Sequence, residues 1–448
     1  MEEREKLLTQ SMKQLFLKLS VPGMIVIGLY NFVDAIFVGQ LVGKEAIGAV
    51  ALIYSVVLFN QALLTLVGSG SMSVLSIAMG ENDQKKIHKL LGNMIVILFL
   101  LSGLFTLFVY FNVGEVVRFI GGEAVTHKLG VKYLRILLIG FIPATVGPAM
   151  NFLLRAEGKM KDAMLISAGC SILNIVLDPI FIKTLGLGIE GAALATIISQ
   201  ILHMIIQFAY FRKGKSVISL KKMKLRIEKD ILPEMFKIGF SQMIMSVMAM
   251  VQQIILFITL QSYGGNDQVA LMGGSYRVFM FAYLAVWGIG QGLQSVVGVN
   301  YGAGKYNRVK QAFTKFTAIG SIISTSVWVL FMVFPENILG WFIKDPVLIA
   351  QNINLFRIFT CIFFLYVYFA TLMNLFIGLG KGKEAGILSI ARQIIFFIPL
   401  VLILPRIMGV KGVWLALPIS DLLSMAVGRF YQKRIFDNDL CIPKKVAM

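Results

Sequence analysis

Residues 160–211 read MKDAMLISAGCSILNIVLDPIFIKTLGLGIEGAALATIISQILHMIIQFAYF, two apolar runs joined by a short glycine turn. Each run is long enough for a bilayer crossing of about 20 residues and lacks the alternation of a strand, so each predicts a membrane-spanning helix. The first run carries a carboxylate, Asp178, seven residues before its end near Leu185, with Asn174 one helical turn earlier. That places Asp178 about 10 Å deep at 1.5 Å per residue. A charge in the hydrocarbon costs at least ~2.5 kcal/mol on insertion scales, and polar groups at such depth line cavities or ion paths. The aspartate stem is too short to reach the surface.

The same reading extends over the whole chain. Of 448 residues, 57% are hydrophobic and 15% charged, and the mean hydropathy is +0.81. This is more apolar sequence than a soluble core uses. Six apolar runs precede residue 212, at about 15–38, 46–79, 88–111, 129–154, 160–185 and 187–211, and six follow, at about 233–262, 268–300, 311–334, 348–377, 384–405 and 410–431. The fold expected is an all-α membrane protein of twelve spans. Its parts are a first six-helix lobe (1–211), a basic linker (212–232) and a second lobe with its tail (233–448). The net charge of +19 fits basic cytoplasmic loops better than nucleic acid, because Lys and Arg sit between the apolar runs. Lys85, Lys86, Lys89, Arg155, Lys159 and Lys161 lie in loops of the linker's parity, as do Lys305, Arg308, Lys310, Lys381 and Lys383. Linker and both termini are therefore expected in the cytoplasm. The charged start, MEEREKLLTQSMKQLFLKLS, reads as no cleaved signal peptide. Cys170, Cys361 and Cys441 form neither a disulfide framework nor a metal spacing.

The halves repeat. Gly68, Gly70, Gly80 and Lys86 align with Gly290, Gly292, Gly302 and Arg308 at a constant shift of 222; Arg135 with Arg357 and Gly158-Lys159 with Gly380-Lys381 keep it. Gly188–Gly191 aligns with Gly409–Gly412 at 221. Since each half has an even number of spans, this is a parallel repeat about an axis along the membrane normal, an architecture that transporters use with rocking lobes and substrate at the lobe interface.

The repeat is also an internal control. Asp34 aligns with Leu256, Asp178 with Pro399 or Leu400, Asn174 with Ile395 or Phe396, and Thr196 with Leu417. The first half alone has these polar groups. Tyr30 and Asp34 share a face of span 1, Asn174 and Asp178 share a face of span 5, and Thr196 sits at similar depth on span 6. Pro179 frees a backbone carbonyl beside Asp178. Two chemistries fit. Paired carboxylates in low dielectric make one a proton carrier. Alternatively, Asp34, Asn174, Asp178 and Thr196 are oxygen donors for a hard metal cation such as Na⁺. The structural alternative is a hydrogen-bond network joining spans 1, 5 and 6.

At these residues the chain resembles the multidrug and toxic compound extrusion (MATE) family, over residues 15–431. The stretches that carry the resemblance are NFVDAIFVGQLVGKEAIGAVAL, LLRAEGKMKDAMLIS, NIVLDPIFIKTLGLGIEGAALATIISQ and VGVNYGAGKYNRV. The resemblance implies an exporter of bulky, often cationic, amphipathic compounds in exchange for Na⁺ or H⁺, with the coupling site of DNA-damage-inducible-like members mapping onto Asp34, Asn174, Asp178 and Thr196. Other members have a Glu on span 7 and an Asp on span 10. Here neither IGFSQMIMSVMAMVQQIILFITLQ nor LIAQNINLFRIFTCIFFLYVYFATLMNLFIG holds an acid, so the resemblance does not extend to a second-lobe cation site of that kind.

Other features are weaker. Met245, Met248 and Gln252 share a face of span 7 and are expected in the drug surface, against plain packing in a Met-rich protein. Arg392 and Asp421 lie within spans 11 and 12 and are expected to form an ion pair, with a second proton relay as the alternative. Pro22, Pro143, Pro148, Pro399 and Pro418 mark expected kinks. GAGK at 302–305 lacks the G-x-x-x-x-G-K-S/T spacing and is not a phosphate loop. The protein expected is a monomeric cell-membrane antiporter with no cofactor beyond its coupling ion. A lipid-linked precursor flippase would need a basic cavity. An intramembrane enzyme using Asp34 and Asp178 would not need a duplicated scaffold.

Overall fold

The computed structural model describes residues 2–20, 44–214, 216–220, 223–343 and 345–440. Span 1, with Tyr30 and Asp34, falls outside the described residues. No strand occurs among the described residues.

Two short helices, α1 (Glu2–Thr9) and α2 (Met12–Leu19), come first. Then follow α3 (Lys44–Glu81), α4 (Gln84–Phe111), α5 (Val113–Phe119), α6 (Ala124–Ile139), α7 (Phe141–Ala156), α8 (Met160–Pro179) and α9 (Gly188–Arg212). The second half has α10 (Leu232–Gly302), α11 (Tyr306–Val333), α12 (Pro335–Leu339), α13 (Pro346–Thr360), α14 (Tyr366–Gly378), α15 (Gly382–Ile390), α16 (Ile398–Met408) and α17 (Val410–Asn438). Among the described residues nine stretches are long and apolar enough to cross a membrane, and α6 with α7 makes a further crossing bent by 51°. Gly265, at φ 66° and ψ −165°, breaks α10 into two crossings. Eleven of the twelve expected spans thus fall on described residues.

Side-chain caps start several helices: Asp83 accepts from the Lys86 N–H at 3.0 Å, and Asp345 from those of Val347 and Leu348 at 3.0 Å. The bend in the fourth span falls at Gly140 rather than at a proline. Pro143 sits in the first turn of α7, where a missing N–H costs nothing, while Pro148 lies inside α7. Irregular turns do adjoin Pro179 and Pro399, as π-helical segments at Ile180–Thr184 and Ala391–Phe397.

The repeat is visible in the backbone itself. Asn82 (φ 60°) pairs with Gly304 (φ 70°), Gly158 (79°) with Gly380 (73°), and Gly188 (54°) with Gly409 (59°). These three left-handed turns recur at the shift read from the sequence.

Two compact units divide the chain, Met1–Glu5 with Ile25–Gly239, and Lys6–Met24 with Phe240–Met448. In the first, α3 packs on α4 and α7, and α9 on α7 and α8, around a core that includes Ile53, Val109, Val117, Leu134 and Phe141. A Cβ at Gly70 would lie 2.1 Å from the Met235 carbonyl oxygen, so only glycine lets the start of α10 approach α3. Its copy in the second unit, Gly292, admits Leu19 and Ser20 in the same way, at 3.1 and 2.9 Å.

The segment after α9 is docked on the first unit. Glu157, 0% exposed, takes the Ser216 hydroxyl, the Val217 N–H at 3.2 Å and Lys159 at 2.7 Å. Asn93 accepts the Glu228 N–H at 3.1 Å, and Lys89 reaches Glu228 at 3.0 Å and Asp230 at 3.1 Å. The hydrogen bond from Lys89 holds the Asp230 carboxyl below the usual carboxylate range. The turns at 158 and 214 adjoin this segment, and the turn at 186 lies at the opposite end of α9 from that at 214.

Candidate functional site

Helix α8 delivers Asp178 in its last turn, just before the π-helical segment. Asp178 is 6% exposed. Asn174, one turn earlier, has a buried amide nitrogen that meets no partner among the described residues. Oxygen and nitrogen of an amide are exchanged by a half-turn, so this position presents either a donor or an acceptor. Thr196 on α9 donates its hydroxyl proton to the Ala192 carbonyl at 3.0 Å, which leaves its oxygen lone pairs free to accept. The described members of the expected set are therefore hard oxygen donors suited to a proton or an alkali cation. No cluster of three His, Cys, Asp or Glu occurs among the described residues. Tyr30 and Asp34 lie outside them.

Beside Thr196 the first unit holds a cavity of about 250 Å³. Its polar wall is Tyr54, Asn60 and Gln61 from α3, Tyr133 from α6, and Thr196 and Gln200 from α9. None of its described lining residues is charged. Asn60 is held in place, donating to the Phe141 carbonyl at 3.2 Å and accepting from Ser102 at 2.9 Å. The structure thus brings Thr196 to the cavity, whereas Asn174 and Asp178 are not in its described wall.

The second unit fills the equivalent space. At a shift of 222, Tyr54, Val57, Gln61, Leu137, Phe141 and Ala144 become Tyr276, Phe279, Tyr283, Phe359, Phe363 and Tyr366. The Phe279 ring centroid lies 5.9 Å from Tyr283, 5.2 Å from Phe359, 5.5 Å from Phe363 and 5.0 Å from Tyr366. Aromatic rings stand where the first unit has Val57, Gln61 and Ala144. Gln200 becomes Asp421 at a shift of 221. Asp421, 1% exposed, pairs with Arg392 Nε at 2.5 Å and accepts the Tyr366 hydroxyl. The pair sits in the filled unit and carries no net charge.

Met245, Met248 and Gln252 lie on α10, and Gln252 is 7% exposed with a buried amide nitrogen that has no partner among the described residues. The cavity residues Tyr54, Asn60, Gln61, Tyr133 and Gln200 were not among the sequence candidates. Their signal was the repeat shift, read for residue size rather than for charge.

The MatE family model matches residues 20–180 and 238–403. Multidrug export protein MepA of Staphylococcus aureus (strain N315) is 26% identical over 405 residues, covering 88% of this chain and 87% of its own. An outward-facing multidrug resistance MATE family transporter of the MOP superfamily superposes with a TM-score of 0.89 at 27% identity, over 97% of this chain and 98% of that one. A MOP superfamily transporter from Pyrococcus furiosus does so with a TM-score of 0.89 at 26% identity, over 96% and 97%.

Proposed function

The chain belongs to the MatE family of membrane transporters, which are not enzymes, and from that premise we propose that it is a secondary active exporter of amphipathic, often cationic small molecules, driven by inward movement of H⁺ or Na⁺. The observation that carries this reading is Asp178, a carboxylate 6% exposed inside an apolar span, with no acid at the matching position of the second half. A scaffold role alone would be served in both halves alike. In the proposed cycle, a cation arriving from outside neutralises Asp178 and Asp34, and the repacking of spans 1, 5 and 6 lowers affinity for the cargo. Exchange follows only if the ion binds the two conformations differently. One charge entering with the membrane potential contributes ~2.3 kcal/mol per 100 mV. The basic loops set the orientation: linker and termini in the cytoplasm, the turn at 186 outside, in the cell membrane. The uncharged described wall of the cavity disfavours a flippase for pyrophosphate-linked lipids.

The test is efflux of a cationic amphipathic dye from liposomes holding the purified protein, with pH and Na⁺ gradients imposed separately. Efflux under one gradient supports the reading and identifies the ion. Efflux that proceeds equally without any gradient contradicts it.

A further inference from the structure

Helix α9 bears more than Thr196. At 100° per residue Thr196, Gln200, His203, Gln207 and Tyr210 fall within an arc of about 80°, in a line about 21 Å long. One end opens at the cavity, whose wall includes Thr196 and Gln200. The other reaches Tyr210, whose hydroxyl donates to Asp162 of α8 at 2.5 Å. Between them lie His203, 6% exposed, and Gln207, 0% exposed, with a ring nitrogen of one 3.4 Å from the amide nitrogen of the other. The side-chain oxygens of Gln200 and Gln207 are buried and accept from no described residue. Leaving such a group unsatisfied costs about 1–3 kcal/mol. With His203 between them, these two glutamines form a polar thread on one face of an apolar span.

Packing does not require His203 and Gln207, because the second unit has a serine and a glycine in their places. At a shift of 221 the positions read Leu417, Asp421, Ser424, Gly428 and Tyr431. The charged groups around the thread come from several elements. Arg155 of α7, bonded to Asn151 at 2.9 Å, acts electrostatically on His203. Asp162 of α8 holds Tyr210, Lys159 lies 6.0 Å from the Tyr210 ring centroid, and Glu157 and Glu3 act on its hydroxyl. Lys132 of α6, paired with Glu190 at 3.1 Å, stands near the far end of α9. A fixed guanidinium beside His203 repels a metal cation lodged there. A proton hop along hydrogen-bonding groups needs no such lodging.

We propose that Thr196, Gln200, His203 and Gln207 form the route by which the coupling proton passes from the cavity to the cytoplasmic side, with His203 as its relay. The proposal rests on the coupling reading above and narrows its ion to H⁺. His203 takes a proton on one ring nitrogen from the cavity side as it gives up the proton on the other, so the ring stays neutral beside Arg155. Water held against the Gln207 amide carries the released proton on to the Tyr210–Asp162 pair, where the Asp162 carboxylate accepts it, and rotation of the ring restores the first tautomer.

The experiment uses the purified full chain in liposomes, a cationic amphipathic dye, an imposed pH gradient and a pH-reporting dye in the lumen. Variants are His203→Gln, which keeps a hydrogen-bonding side chain but cannot relay, Gln207→Leu, and Ile205→Ala on the opposite, 53% exposed face. Dye binding without any gradient checks that each variant is folded. Expected is a loss of about ten-fold in gradient-driven efflux and in the accompanying proton movement for His203→Gln and Gln207→Leu, with dye binding kept and Ile205→Ala unchanged; the loss is smaller than a side-chain proton carrier can contribute, because the conformational step shares the rate limit. His203→Gln efflux within about two-fold of the original overturns the relay. Efflux driven by Na⁺ alone overturns the proton route while leaving the coupling reading intact. Efflux driven by neither gradient overturns both.

Discussion

Replacing Arg392 with methionine strips the cation from the buried pair of the second unit. Asp421 is 1% exposed and is met by Arg392 at 2.5 Å on one oxygen and by the Tyr366 hydroxyl on the other. The change leaves a full negative charge facing one neutral donor. Removing one partner of such a pair costs about 3–5 kcal/mol, whereas replacing both by apolar groups is often neutral. Methionine refills most of the stem volume, so little is added for a cavity. The lost contact of the guanidinium with the Phe369 ring, 5.0 Å away, adds about 1 kcal/mol. Arg392→Met is therefore expected to destabilise by about 4–6 kcal/mol, and Arg392→Met with Asp421→Leu by about 1–2 kcal/mol. Purified protein unfolded by denaturant titration in mixed micelles, read by circular dichroism, gives both values and the coupling between the sites. A single variant within about 0.5 kcal/mol of the original, or a double variant no better than the single, would refute the view that the pair matters by cancelling charge.

Tyr366→Phe removes one donor to the same carboxylate and should cost about 1.5–3 kcal/mol in that titration. Gly70→Ala places a Cβ 2.1 Å from the Met235 carbonyl oxygen, and the backbone shift it forces should cost about 1–3 kcal/mol, seen as reduced thermal stability; an unchanged Tm counts against the close approach of α3 and α10. The hydrogen bond from Lys89 depresses the Asp230 carboxyl, so its contribution is present above the ordinary aspartate value and disappears as pH falls through the lower folded value. Protection of the amides around Glu228 and Asp230, taken relative to the intrinsic exchange rate at each pH, should hold from about pH 8 to about pH 5 and fall only below about pH 4; a fall by about pH 6 would mean that another group holds the segment.

Much of this fold is legible in the chain because bilayer spans are long apolar runs and because the chain states its plan twice. The shift between Gly80 and Gly302 carries through to the backbone, where Asn82 and Gly304 take the same left-handed turn. The bend at Gly140 is less legible, since Pro143 and Pro148 are the louder signal and a proline in a first turn disturbs nothing. The docking of residues 216–220 and 223–230 was hidden by their positive charge; it depends on Glu157, Lys89 and Asn93, which sit far away in sequence. At the site, Asp178 and Thr196 were readable as polar residues missing from the second half. The cavity was not readable from polarity, because what opens it is small Val57 and Ala144 where the other half has Phe279 and Tyr366. Gln207 and His203 lay inside a run read for its length, its repeat glycines and Thr196.

The central claim is that the first unit's carboxylates couple ion entry to export. The most direct measurement is gradient-driven dye efflux from liposomes for Asp178→Asn and Asp34→Asn, beside dye binding by the same samples without a gradient. Each replacement keeps size and polarity but cannot take up or release a proton or carry the charge that holds a metal ion. The expected result is intact binding with efflux reduced to the rate seen without a gradient in both variants. Efflux at the original rate in both, at equal protein content, would make these acids structural and contradict the coupling mechanism.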